Sequence, residues 1–395
     1  MNDFFGCHTS ISDYMDLTNP KSDNVIIFGA GYLGCLVMYL CKYVYGIKQI
    51  ECMDNDRRRK DLYIWDDIPC RLPYKNNKNS VVYICVWDKK SQVAIDKQCK
   101  SLGYENVYCI DDSMVLFSMK DVSDVECVKA IYYAATGNHV DLERPTKFNE
   151  KLQWLKVYDR NPLYQTLTDK LAVKEYVKKI IGEKYIVPTI GIWDTFEDID
   201  FTKLPNQFVL KCTHDSGSAV VVNDKQNIDL EELSKRFSKA LSIDYYYVGR
   251  EHGYKNIPRK IIAEPKLNGD SVKDIKDYKV FTFDGDPRIV QVDYDRFHSH
   301  TRIMYDAKDW KSLGFSTMYP YDASKIEEKP AKLEEMLELS RILSKGIPHV
   351  RVDFYIVGDR VYFGEMTFHH GGGCEKFSDE NWNDTMGEWI RLPKK

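Results

Sequence analysis

Two short stretches hold the residues best suited to chemistry. The first, "FVLKCTHDSGSAVVV" (208–222), reads as apolar strand, lysine, small polar loop, apolar strand. A hairpin needs only one or two turn residues, yet this loop carries His214, Asp215, Ser216, Gly217 and Ser218. Loop N–H groups and Gly217 can approach phosphates closely, and Lys211 at the strand end can aim its ammonium at the same anion. Burying that ammonium without an anionic partner is costly. Taken alone, the stretch reads better as an ordinary hairpin with a snorkelling lysine.

The second stretch, "HVRVDFYIVGDRVYFGEMTF" (349–368), reads as two strands around a turn at Gly358. Register decides its meaning. A three-residue loop, Gly358 to Arg360, pairs Val357 with Val361, Asp353 with Glu365 and Arg351 with Thr367. The other face is then Val352, Phe354, Ile356, Tyr362, Met366 and Phe368. A two-residue loop would turn Glu365 onto that apolar face, so the three-residue loop is expected. Two carboxylates directly opposite each other repel by up to ~1 kcal/mol. A cation between them is therefore expected. A magnesium-type ion completed by nucleotide phosphates fits an all-oxygen pair. The alternative is a salt bridge to Arg351 or a lysine. The phosphate-binding elements upstream favour the metal.

Other segments must position these groups. "RKIIAEPKL" is a strand that ends at Glu264 and runs into a polar hinge. "DYKVFTFDGDPRIVQVDYDRF" is a hairpin turning at Asp284-Gly285-Asp286, with Lys279 on one arm. Nearer the N-terminus, "NVIIFGAGYLGCLVMYLCKYVYGIKQIECMDND" is strand, glycine turn, helix, strand. Gly29, Gly31 and Gly34 give G-x-G-x-x-G, and Asp54 follows Gly34 by 20 residues. That spacing suits a carboxylate on a ribose hydroxyl and a phosphate at the helix N-terminus. A module that only packs or oligomerises fits it as well. "SVVYICVWD", a lysine-rich helix and "ENVYCIDD" complete a small doubly wound domain ending near Asp112. No acid, base or nucleophile stands out there, so dehydrogenation is not expected.

Whole-chain features narrow the class. The chain has 395 residues, 43% hydrophobic and 29% charged, with net charge −4. That length predicts two or three domains, and the charge argues against general nucleic-acid binding. No run of 18 apolar residues predicts a membrane span, and the first residues lack a signal-peptide pattern. A cytoplasmic location is expected, with the inner membrane surface left open. The 11 cysteines include no C-x-x-C pair, which argues against a zinc ribbon.

From about Arg144 onward the chain closely resembles the TupA-like branch of the ATP-grasp enzymes. The shared segments are "FNEKLQWLKVYDRNPLYQTLTDKLAVKEYV", "LPNQFVLKCTHDSGS", "YYYVGREHGYKNIPRKIIAE", "DYKVFTFDG", "VRVDFY" and "FGEMTF". Residues 1–112, outside that resemblance, look like the small α/β Rossmann-like modules found beside sugar- and polysaccharide-modifying enzymes, and a linker helix (113–143) is expected to follow; the resemblance implies an ATP-grasp domain (144–395) of two α+β lobes, about 200–266 and 267–395. It implies ATP as co-substrate and one or two magnesium ions. Lys170 or Lys174 corresponds to the first nucleotide-side lysine and Lys211 to the phosphate lysine. His214 to Ser218 correspond to a mobile phosphate loop, and Glu264 to the hinge residue near adenine or ribose. Lys279 and Arg302 correspond to phosphate or substrate contacts, and Asp353 and Glu365 to magnesium ligands. Thr367 stands where many members carry asparagine. Arg351 is placed to hold a γ-phosphate or acyl phosphate.

The implied reaction activates a carboxylate as an acyl phosphate, which an amine attacks, leaving ADP and phosphate. The family context points to a uronic acid or amino acid of a surface polysaccharide, free, nucleotide-linked or lipid-linked. Two other readings stay open: a phosphotransferase acting on a sugar or alcohol, and a non-catalytic nucleotide-sugar binding protein. The N-terminal domain would then hold a nucleotide or nucleotide sugar, and a homo-oligomer remains open. His369 and His370 read either as a base for the amine or as a structural pair. Gly371 to Gly373 read either as a close-approach backbone or as a flexible turn.

Overall fold

The computed structural model describes residues 24–64, 67–75, 79–267, 275–295 and 299–394. It divides into two compact units. The first holds the described residues up to Val140 together with Ser242–Arg250; the second holds Asp141–Leu241 and the chain from Glu251 onward.

The first unit is built on six strands: β1 (Asn24–Phe28), β2 (Gln49–Met53), β3 (Tyr63–Ile64), β4 (Ile68–Arg71), β5 (Val81–Ile84) and β6 (Asn106–Cys109). Their order is β3-β4-β2-β1-β5-β6. All neighbours run parallel except the β3–β4 hairpin. The near-continuous burial of β1 and β5 is what a parallel sheet covered on both faces requires. The four expected strands are present, and the β3–β4 hairpin adds to the β2 edge.

Two expectations change here. The segment expected as a linker helix is part of the first unit. Helix Asp124–Thr136 is capped by Ser123 and ends at left-handed Gly137. It buries Cys127, Val128, Ala130 and Ile131, and its Glu126 accepts a hydrogen bond from Tyr39. The second change concerns Asp54, which braces the glycine turn instead of presenting itself to a ribose. Its Oδ2 accepts from Ala30 N–H and its Oδ1 from Asp56 N–H, both at 2.8 Å. Arg59 adds a bond to the Ala30 carbonyl. Gly34 is explained by packing alone: a Cβ there would lie 1.8 Å from the Gly29 carbonyl oxygen. The glycine pattern therefore closes a tight strand-to-helix turn, whatever else it does.

The second unit contains two antiparallel sheets. The smaller comprises β7 (Gly191–Trp193), β8 (Phe208–Cys212), β9 (Val220–Val222) and β10 (Ile261–Pro265), in the order β7-β10-β8-β9. It begins nine residues before the expected lobe boundary at 200. Phe208, Leu210, Cys212, Ile261 and Ala263 of one face pack on Leu233 and Phe237 of helix Leu230–Ser242. Period-2 alternation puts Lys211 and Glu264 on the opposite face.

The larger sheet comprises β11 (Asp277–Phe283), β12 (Asp286–Tyr294), β13 (Thr301–Asp306), β14 (His349–Val357) and β15 (Arg360–Thr367), in the order β13-β12-β11-β14-β15. Its apolar face includes Tyr278, Val280, Val290, Val292, Ile303, Val352 and Phe354. That face packs on helices Ala172–Ile181 and Leu333–Leu343. The same alternation collects Asp277, Lys279, Gln291, Asp293, Arg302, Arg351, Asp353, Glu365 and Thr367 on the opposite face. Among the described residues, no helix is long and apolar enough to cross a membrane.

The β14–β15 turn differs from expectation. Val357 pairs with Arg360, so the loop has two residues, Gly358 and Asp359. A bulge at Gly364 then restores the register, and Asp353 still faces Glu365 and Arg351 still faces Thr367. Gly364 allows this because a Cβ there would crowd the Asp353 carbonyl and the Tyr355 ring, each at 3.1 Å. The gain is apolar. Val361 and Phe363 enter the core with Phe354, while Tyr362 moves to the other face opposite Tyr355.

Candidate active site

The site is built from two groups of charges, one on each sheet of the second unit. In the small-sheet group, Glu264 lies buried between two lysines. Lys174 Nζ is 2.5 Å from its Oε1 and Lys211 Nζ is 2.7 Å from its Oε2. Lys174 also donates to the Val187 carbonyl and the Thr189 hydroxyl, each at 2.8 Å. Burial pushes the Glu264 carboxyl up, but Lys211 and Lys174 outweigh it and hold the group below its usual value. Burial lowers Lys174 in turn, against the pull of Glu264. Glu264, expected near adenine or ribose, here forms ion pairs with Lys174 and Lys211.

The polar loop after β8 is not the free lid expected. Thr213, His214, Asp215 and Ser218 are buried. Ser218 Oγ donates to Asp215 Oδ1 at 2.7 Å and accepts from Cys212 N–H at 2.8 Å. Thr213 N–H donates to the Lys260 carbonyl at 2.9 Å. His214 turns inward, its Nε2 3.1 Å from the Ala240 carbonyl, and burial lowers its pKa. Only Ser216, Gly217 and Ala219 of the loop are exposed. The physical reason is local: short polar side chains satisfy the loop's own backbone and close it.

Lys170 joins the two groups. Its Nζ donates to the Asp215 carbonyl, and its backbone N–H donates to Thr213 O at 3.1 Å. Burial lowers its pKa; the strongest opposing charge is Glu365, followed by Asp215. Lys170 is thus bonded to the small-sheet loop and coupled by charge to the β15 carboxylate.

On the large sheet, the cation between the two paired carboxylates is Arg351. Its Nε and Nη2 donate to Asp353 Oδ1 and Oδ2, both at 2.7 Å. Nη2 also reaches Glu365 Oε1 at 3.3 Å and Thr367 Oγ1 at 3.2 Å. Thr367 donates to Glu365 Oε1 at 3.0 Å. The salt-bridge alternative is therefore present, and Arg351 is committed to carboxylates rather than waiting for phosphate. Burial pushes Asp353 up to about 6, against Arg351 and Lys279. Crowding by protein acts the same way on Glu365, but Arg351, Lys170 and Lys279 hold it below its usual value. The Glu365 side chain is 47% exposed, whereas Asp353 is buried.

Lys279 is likewise committed. Its Nζ is 2.8 Å from Asp277, 3.6 Å from Asp293 and 3.8 Å from Asp353. Arg302 lies four strands from β15, roughly 19 Å at ~4.8 Å per strand. It is buried, with Nε on Asp293 at 2.7 Å and Nη1 near Thr317 and Glu375. Both were expected to contact phosphate or substrate. The structure makes each the centre of a buried charge network, because adjacent strands place carboxylates directly beside them.

Sequence reasoning missed Asp277, Asp293 and Glu375. The two aspartates were legible in principle, since they share the period-2 face of Lys279 and Gln291. Glu375 left no local signal, because its partner Arg302 is 73 residues away.

Among the described residues, no three His, Cys, Asp or Glu side chains gather to hold a metal by themselves. Magnesium does not need three: one or two carboxylates plus phosphate oxygens suffice. Glu365, half exposed and bonded to Thr367, with Asp353 paired across the strand, fits that donor set.

Lysines at the small antiparallel sheet and its loop, with paired carboxylates on the larger one, give the donor arrangement expected of an ATP-grasp enzyme. The family model described as TupA-like ATPgrasp matches residues 150–391, and the chain belongs to that family. Comparison with curated proteins returns no match. Among solved structures, D-alanine–D-alanine ligase from Bacillus anthracis is 13% identical, covering 87% of this chain and 85% of that one, at TM-score 0.32. The Helicobacter pylori enzyme is 13% identical over 93% and 99%, also at 0.32. N5-carboxyaminoimidazole synthase from Aspergillus clavatus is 14% identical over 89% and 71%, at 0.30. Scores of that size are too low to support an argument; the family match carries the assignment.

Proposed function

We propose that the protein is a carboxylate–amine ligase that forms an amide through an acyl phosphate. The observation that carries the reading is that Lys170, bonded to the Asp215 loop, is also coupled by charge to Glu365, beside the Asp353–Glu365 pair of the larger sheet. Phosphoryl transfer needs charge neutralisation and positioning more than a covalent nucleophile. Lys170, Lys174 and Lys211 supply positive charge on one side, and Asp353, Glu365 and Thr367 supply metal-binding oxygens on the other. Magnesium held there with nucleotide phosphates would neutralise charge on the transferring group. The exposed Ser216–Gly217 backbone offers N–H groups to phosphate. Glu264 holds both lysines in place through its ion pairs.

The acid is a uronic acid or amino acid destined for a surface polysaccharide, a reading that rests on resemblance to the TupA-like branch. ATP supply places the reaction in the cytoplasm. Purified protein with ATP, magnesium, the acid and an amine is expected to release ADP and phosphate and to form an amide visible by mass spectrometry. A phosphorylated product without an amide would instead indicate a phosphotransferase.

A further inference from the structure

The stretch "YYYVGREHGY" (245–254) belongs to neither charge group of the site. Residues 242–250 fold with the first unit, although the chain on both sides of them folds with the second. Arg250 anchors them. It ends the short helix Tyr246–Gly249 at φ +56°, a left-handed conformation strained for a side chain of this size. Its guanidinium is buried. Nη1 donates to Asp124 Oδ1 at 3.2 Å and Nη2 donates to the Met119 carbonyl. The Tyr246 hydroxyl donates to Asp124 Oδ2 at 2.6 Å, and the guanidinium lies 4.7 Å from the centroid of the Tyr247 ring. Within the second unit, both flanks of this excursion support the loop after β8 and the segment carrying Lys170. Before it, the Ala240 carbonyl lies 3.1 Å from His214 Nε2. After it, Gly253 packs on Thr168, so closely that a Cβ would lie 2.3 Å from Thr168 Oγ1. The Pro258 carbonyl then accepts from Thr213 Oγ1 at 2.7 Å, and the Lys260 carbonyl from Thr213 N–H at 2.9 Å. Arg259 Nη1 ties the two flanks together by donating to the Leu241 carbonyl at 2.9 Å.

We propose that Asp124 and Arg250 are positioning residues for ATP: by gripping the tip of this excursion, the first unit fixes the two flanks that hold the His214 loop and Lys170. This rests on the ligase reading above, and within it on the nucleotide site. A segment pinned at its base by Arg259 and at its tip by Arg250 has few conformations left to lose. The loop it supports is therefore ordered before nucleotide arrives, and binding bears less of that ordering cost. The coupling is reciprocal: if the grip tightens ATP binding in the second unit, bound ATP must favour the gripped state of the first.

The test uses the full chain with magnesium and ATP alone, so neither the acid nor the amine is needed. Asp124→Asn and Arg250→Met are each expected to weaken ATP binding by about fivefold or more in titration calorimetry, with the second unit's thermal transition unchanged. The double variant should bind no more weakly than the worse single variant, because both substitutions release the same grip. Tyr246→Phe removes one hydroxyl and keeps the ring, so it carries the prediction if the stronger variants unfold: its ATP binding should weaken in the same direction. Hydrogen exchange supplies a readout that a merely structural bond would not move. ATP should slow exchange of the amides from Ser118 to Val125 in wild-type protein, and that protection should vanish in Arg250→Met. Smaller losses in both single variants, additive losses in the double variant, or exchange at 118–125 that ignores ATP would overturn the proposal and leave the ligase reading intact. Wild-type protein that binds no ATP would overturn the ligase reading and the proposal with it.

Discussion

Replacing Lys279 by methionine separates a network centre from a phosphate contact. The lysine is buried, with carboxylate oxygens at 2.8, 3.6 and 3.8 Å. At an effective dielectric constant near 20 these contacts give gross attractions of about 6, 5 and 4 kcal/mol. Desolvation offsets several kcal/mol for each ion, so the sum is not a stability. Removing one partner from a buried network costs about 3–5 kcal/mol, because the remaining charges are left uncompensated. For a unit of roughly 250 residues, each kcal/mol shifts Tm by about 2–4 °C, so Lys279→Met should lower the second unit's transition by about 6–20 °C. Adding Asp277→Leu should recover part of the loss, since it removes the nearest orphaned carboxylate. Thermal unfolding followed by tryptophan fluorescence reads both variants. A shift within about 2 °C, together with a large rise in KM for ATP, would refute the network and restore the phosphate-contact role.

Three further outcomes follow from the geometry. Glu375 is held down to about 2 from 4.5: burial pushes it up, but His370 and Arg302 outweigh it. The unfolded chain then takes up the proton first. The stability from this group is full above about pH 5 and is lost as pH falls toward 2, about 3 kcal/mol at ~1.4 per pH unit. Acid titration of wild-type protein and Glu375→Gln should differ over that window, and identical slopes would contradict the assignment. Gly371→Ala would set a Cβ 2.2 Å from Glu375 Cγ at φ +56°. It should cost about 1–3 kcal/mol by denaturant midpoint, and a loss below ~0.5 would contradict the packing. Gly34→Ala meets the Gly29 carbonyl at 1.8 Å and should cost about 3 kcal/mol or more in the first unit. Hydrogen exchange of the β1 amides would show this, and unchanged protection would refute it.

The opposed pair Asp353 and Glu365 was legible in the sequence, because alternation and an apolar face leave one economical register. The way the chain achieves it was not. A two-residue turn followed by a bulge ends in the same pairing as a three-residue turn, and only the crowding around Gly364 distinguishes them. The sequence likewise put Lys279 on one arm of a hairpin without singling out Asp293, which comes beside it because β12 folds back on β11. Asp54 followed the glycine motif at the expected distance, yet its oxygens close the turn. The loop after β8 looked free because its residues are small and polar. Those same side chains bond its backbone and hold it shut.

The central claim is that Lys170 and the Asp353–Glu365 pair act on ATP together. Its most direct test is product analysis of wild-type protein beside Glu365→Gln, with ATP, magnesium and the pooled acids and amines. Wild-type protein is expected to release ADP and phosphate in an acid-dependent reaction, with at least about 100-fold loss in the variant. AMP and pyrophosphate as products, or undiminished turnover in Glu365→Gln, would contradict it.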